Sequence, residues 1–141
     1  MAHELVVHAA HQGGMHFTAA AREHTIDIDY PLQDGDDGAG LTSLETLLAA
    51  LTTCCGNTMV VLLNKMRLPF DGIDVTARAE RREEHPTVLT RIDLDVVLRG
   101  DGVDQATAER ALRLGEEQIC PVWAMLKPGT PIHATVRVEG G

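Results

Sequence analysis

Three cysteines are the residues of this chain with nucleophilic chemistry to offer. Cys54 and Cys55 stand side by side in "LLAALTTCCGNTMVVLLNKM" (47–66), and Cys120 lies in "EEQICPVWAML". A thiol acts as a nucleophile or redox group through its thiolate, which polar or cationic neighbours favour and apolar burial suppresses. Adjacent cysteines do not comfortably bridge each other, and a single distant third one does not make a disulfide-stapled secreted fold. Chemistry or packing must therefore account for them.

Helical phase separates the adjacent pair. Counting about 100° per residue, the side of Cys54 carries Leu47, Ala50, Leu51, Asn57, Thr58 and Val61, a small surface of mixed polarity with room for a ligand. Cys55 points about 100° away and shares its side with Leu44, Leu48, Met59, Leu62 and Met66, all apolar. Cys55 reads as a core residue. Cys54 reads either as a site thiol or as a second small buried residue, since free cysteine is among the most buried types. The second helix ends near Ile119 and Pro121 fits the first position of a new turn, which places Cys120 at an N-cap. Unpaired N–H groups there favour a thiolate and make the thiol a good leaving group in disulfide exchange; the plainer reading is that Cys-Pro only separates two helices. Thr58, Asn57, Trp123 and Glu45 are the candidates for the site wall, with Trp123 equally placed for the core.

The elements that position these residues follow from periodicity. A chain of 141 residues, 44% of them hydrophobic and 23% charged, fits one domain spanning 1–141. Alternation in "ELVVHAA", "MHFTAAA" and "HTIDIDY" predicts N-terminal strands over 4–30, with a Gly13-Gly14 turn. A loop rich in Gly and Asp follows at 31–42; it lacks the glutamate and preceding helix of a calcium-binding hand and reads as a plain acidic loop. The central helix spans 43–67, with Ser or Thr as its N-cap, Glu45 in its first turn and Pro69 beyond its end. A β-hairpin covers 70–100, turning at His85-Pro86. A second helix spans 104–119, a Cys-Pro segment 120–127, and a final strand 131–140. Runs of strands separated by single helices predict an α+β domain with mainly antiparallel sheets.

Composition excludes several classes of function. A formal charge of −9 gives a field of the wrong sign for nucleic-acid phosphates or anionic lipid. The N-terminus lacks a basic segment leading into an apolar core, and polar residues interrupt the apolar 47–63 region, so neither export nor a membrane span is expected and the cytoplasm is the expected location. Seven histidines are present, but His8 and His11 face opposite sides of a strand and no cysteine lies near them, so no metal site is expected. Glu83-Glu84 beside Arg81-Arg82 reads as a solvated hairpin end.

The stretch "SLETLLAALTTCCGNTMVVLLNKMRLPFDGIDVTARAERREEHPTVLTRIDLDVVLRG", followed by "EEQICPVWAML", resembles the OsmC/Ohr superfamily of thiol-dependent hydroperoxide reductases in element order and spacing. The resemblance implies an intertwined homodimer, with sheets wrapped around two long central helices and two cysteines meeting near the interface. Its register puts the reactive cysteine on Cys54 and an apolar residue on Cys55, in agreement with the phase argument. It further implies that Cys54 attacks an organic hydroperoxide as the peroxidatic thiolate and that Cys120 resolves the resulting sulfenic acid to a disulfide. An external dithiol then reduces that bond, with no metal or organic cofactor. Three positions depart from the hydroperoxide reductases: Ser43 replaces the usual Pro, the glutamate of the helix start falls on Leu44, and residues 25–43 hold no arginine or lysine. These departures are shared with the OsmC-like subgroup that keeps both cysteines and loses the glutamate-arginine pair. Lys65 lies about three turns beyond Cys54, which leaves Arg67, Arg78 or Arg81, from the sheet or a partner subunit, as the remaining cations for the site. The alternative function is a binding or redox-sensing stress protein on the same fold, taking a small hydrophobic ligand without efficient turnover.

Overall fold

The computed structural model describes residues 3–140. Chain contacts divide into two compact units, Met1–Leu48 and Ala49–Gly141. In the first, β1 (His8–Gly13), β2 (His16–Ala21) and β3 (His24–Ile28) form an antiparallel meander in that order. Gly13 and Gly14 turn the chain with φ of 113° and 55°, values that glycine reaches without steric cost. The predicted strand region opens later than expected: Leu5, Val6 and Val7 precede β1 and are exposed. The acidic loop folds back on β3, where Asp29 accepts the Ala39 N–H and donates its own N–H to Leu41.

Helix α1 (Ser43–Lys65) begins where the sequence places it, on a reciprocal cap. Thr42 Oγ1 accepts the Glu45 N–H at 3.2 Å, and Glu45 Oε1 accepts the Thr42 N–H at 2.9 Å, so two orphan donors of the first turn are satisfied. The helix ends differently from expectation. Arg67 takes a left-handed φ of 58°, with Leu68 N–H bonded to Leu63 O and Arg67 N–H to Asn64 O, a Schellman closure with arginine where glycine is usual.

In the second unit, β4 (Gly72–Arg81), β5 (Leu89–Arg99) and β6 (Ile132–Glu139) form one sheet with β5 in the middle. β4 and β5 pair antiparallel, whereas β5 and β6 pair parallel. A parallel neighbour needs a long crossover, and the chain supplies it with α2 (Gln105–Leu114), a π-helical turn (Gly115–Ile119) and α3 (Pro121–Leu126). β5 turns Ile92, Leu94, Val96 and Leu98 into the core. On its other face Asp93 pairs with Arg91 and Asp95 with Arg78. Leu51, Cys55, Met59, Leu62 and Leu63 of α1 are buried with them, as are Ala108, Ala111 and Leu112 of α2. Among the described residues, all those fully buried belong to this second unit.

The expected second helix over 104–119 is two pieces. Asp104 caps α2 by accepting the Thr107 N–H at 2.7 Å. The hydrogen-bond register then widens, and the Cys120 N–H closes on Gly115 O at 2.8 Å, five residues back. A π turn inserts one residue into a helix and rotates all that follows. Here it turns the chain just before Cys120.

Candidate functional site

Cys54 and Cys120 are brought together although 66 positions separate them. Their sulfurs stand 3.0 Å apart, with the Cys120 thiol directed at Cys54 Sγ, and both are free thiols. This exceeds the ~2.05 Å of an S–S bond but asks for only about 1 Å of travel to form one.

The two sulfurs face different surroundings. Cys54 is half-buried and opens onto a solvent-facing depression of about 400 Å3, lined by Ala50, Thr53, Asn57, Thr58, Val61, Ile119 and Pro121 as well. Cys120 is 1% exposed. Behind it, Cys55, Thr58, Met59, Leu112, Gly115 and Trp123 close a gap too narrow for a water molecule. Thr58 belongs to both linings and separates the open side from the closed one. A further depression of about 340 Å3, between Thr52, Gly56, Val60, Ile73 and Val75, shares Thr53 and Asn57 with the first but contains neither sulfur. Of these two depressions, the one at Cys54 is the one that reaches a sulfur.

Cys55, 2% exposed, is part of the core, where burial first, and then the neighbouring Cys120 and Cys54, push its thiol up to about 12. Helical phase alone foretold this separation of adjacent residues. Cys120 occupies the N-cap of α3 with Pro121 at the first position. The expected low pKa there is not what results. Burial raises the thiol and its hydrogen bond to Cys54 raises it further, while the N–H groups of Trp123 and Val122 pull the other way without prevailing. The desolvation of a fully enclosed sulfur outweighs the field of a six-residue helix. Cys120 is therefore the enclosed thiol of the pair and Cys54 the one that solvent reaches.

The wall residues fall into two groups. Asn57 and Thr58 line the depression with Cys54. Trp123 is 1% exposed and packs behind Cys120, its indole N–H without a partner among the described residues, so it forms core wall and not ligand surface. Glu45 is engaged in the α1 cap, which accounts for its position in the first turn. The depression's lining carries no charged side chain. Arg78 is paired with Asp95, and Arg67 forms the left-handed cap of α1. Thr53, Ile119 and Pro121 were not foreseen as lining residues. The last two could have been inferred from their adjacency to Cys120, and Thr53 from its place beside Cys54.

The family model described as OsmC-like protein matches residues 35–135. The chain belongs to the OsmC-like protein family. The YhfA protein of Escherichia coli K12 is 33% identical to this OsmC-like chain over 108 residues, covering 76% of the chain and 81% of the relative. A hypothetical protein from Aquifex aeolicus VF5 superposes with a TM-score of 0.88 at 25% identity, covering 99% of both chains. An organic hydroperoxide resistance protein from Elizabethkingia anophelis, with crystallant-derived thiocyanate bound, superposes at 0.75 with 16% identity and 99% coverage of each. These likenesses agree with the α+β architecture of an OsmC-like fold. Within it, α1 is long and apolar enough to cross a bilayer by length and composition, with a mean hydropathy of 1.7 over its most apolar 18 residues, so its polar residues do not by themselves exclude a span as expected. Its Leu51, Cys55, Thr58, Met59, Leu62 and Leu63 are buried within the protein. Among the described residues, no cluster of three His, Cys, Asp or Glu side chains could hold a metal ion.

Proposed function

We propose that this OsmC-like protein is a cytoplasmic thiol-dependent reductase of organic hydroperoxides, working through Cys54 and Cys120. The observation that carries the reading is the 3.0 Å sulfur pair, one member open to solvent and the other enclosed. Cys54 thiolate attacks the distal peroxide oxygen; the O–O bond breaks, the alkoxide leaves and takes a proton to become an alcohol, and Cys54 becomes a sulfenic acid. Cys120 sulfur then attacks the sulfenic sulfur, water departs, and the disulfide forms. An external dithiol returns both thiols by exchange. Thr53, Asn57 and Thr58 offer hydroxyl and amide groups to the peroxide, and Ala50, Val61 and Ile119 offer apolar surface to its alkyl group.

An uncharged lining lacks the electrostatic stabilisation that usually carries a large share of catalysis. That observation favours a second reading, in which the same pair senses oxidants or binds a small hydrophobic molecule with slow turnover. Reduced protein treated with excess cumene hydroperoxide decides between them. Consumption of the hydroperoxide with repeated turnover in the presence of a dithiol supports the enzyme, and a single stoichiometric oxidation supports the sensor. Thiols that all remain free, by counting and peptide mapping, would end both redox readings.

We further infer a homodimer. A three-stranded sheet with no fully buried residue cannot supply its own core, and Leu5, Val6, Val7, Phe17 and Ile26 are exposed on that unit. A second copy of the chain covers them in this reading, and sedimentation at micromolar concentration checks it; a monomer there refutes it.

A further inference from the structure

The π turn that carries Cys120 is built on a residue without a side chain. Gly115 has φ −60° and ψ −46°, ordinary right-handed helical values open to any residue. Backbone freedom therefore does not call for glycine at this position. Space does: a Cβ there would stand 2.9 Å from Thr58 Cγ2, inside the ~3.5 Å at which carbon atoms settle.

Both ends of this contact lead to a sulfur. Gly115 O accepts the Cys120 N–H at 2.8 Å, closing the turn that aims Cys120. Thr58 sits one helical turn after Cys54 on the same face of α1, and both line the depression. The approach of Gly115 to Thr58 is thus the point at which the element bearing Cys120 rests on the helix bearing Cys54.

We propose that Gly115 is the positioning residue of the thiol pair: its bare Cα lets the π turn seat against the Thr58 methyl group, and that contact sets the sulfur-to-sulfur distance. The proposal deepens the redox reading above and rests on it. A methyl group at 115 pushes the two elements apart by a few tenths of an ångström, against the direction the sulfurs must travel to bond. The disulfide state must close this gap against the added methyl group, so the overpacking strain falls mainly on the oxidised form and is expected to disfavour it about tenfold.

The test is the equilibrium of the full chain with dithiothreitol. Protein dithiol and oxidised dithiothreitol exchange to protein disulfide and reduced dithiothreitol, with two electrons and two protons passing between the pairs. Gly115→Ala is expected to lower this equilibrium constant about tenfold. Thr58→Ser removes Cγ2 and keeps the hydroxyl, so Gly115→Ala/Thr58→Ser is expected to return to within about threefold of the parent. A Gly115→Ala constant equal to the parent's overturns the proposal and leaves the redox reading intact. If the single variant folds poorly, the double variant decides: a recovered fold without a recovered constant also overturns it. A parent chain in which peptide mapping finds no Cys54–Cys120 disulfide after excess cumene hydroperoxide removes the redox reading itself, and the proposal with it.

Discussion

Alkylation of the native protein distinguishes the two adjacent thiols quantitatively. Cys55 is displaced from an ordinary 9.0 to about 12. At about pH 8, a thiol at its ordinary value is about one-tenth ionised, whereas one at about 12 is ionised in about one molecule in ten thousand. The reactive form of Cys55 is thus depleted about a thousandfold by burial, and at 2% exposure the reagent also has almost no access to its sulfur. Iodoacetamide at about pH 8, quenched over a time course and followed by peptide mass mapping, is expected to modify Cys54 first, with Cys55 protected until the protein unfolds. Because both residues fall in one peptide, fragmentation must assign the label. Native Cys55 labelled within tenfold of the Cys54 rate would refute the assignment of one thiol to the site and the other to the core.

Alkali provides an independent check on the same residue. A neutral thiol favoured by the fold stabilises fully below about pH 9 and loses that contribution as pH rises toward about 12, amounting to about 2 kcal/mol by pH 10.5. Urea midpoints at pH 8 and pH 10.5 are expected to show this loss, and Cys55→Ala to show a smaller one. In hydroperoxide consumption coupled to a dithiol, Cys55→Ser is expected to keep most of the parent rate and Cys54→Ser to abolish it; the reverse result exchanges the roles of the two thiols. Thr42→Ala removes one side of the α1 cap and is expected to cost about 1 kcal/mol in denaturant unfolding. Arg67→Gly relieves a left-handed arginine and is expected to be neutral or stabilising by up to about 1 kcal/mol, the gain reduced by the freer unfolded chain.

The parts of this fold that were legible in the sequence are those set by local periodicity and capping. The order of strands and helices, the start of α1 on Thr42 and Glu45, and the different faces of Cys54 and Cys55 all follow from residues within a few turns of one another. The parallel pairing of β5 with β6 did not, because alternation in a strand names its faces and not its neighbour. The π turn was hidden for a related reason: Leu112 and Ile119 stand at helical spacing in the sequence, yet the turn leaves Leu112 buried and Ile119 exposed. Gly115 was the one local sign. The raised thiol of Cys120 was also invisible, since its N-cap position was readable while its enclosure by Trp123 and α1 is a tertiary fact. Likewise, Pro69 drew attention as the helix stop, while Arg67 makes the turn.

Enclosure of Cys120 also bears on how long an oxidation lasts. Once the two sulfurs are bonded, an incoming reductant meets only the Cys54 side, so Cys120 is the group that must depart. A thiol whose pKa is raised departs slowly in exchange. On the proposed redox reading, the oxidised protein is then expected to outlive the pulse of oxidant that produced it. Under that reading, burial of one sulfur would give the pair a memory, with a duration set by how readily the depression admits a reductant.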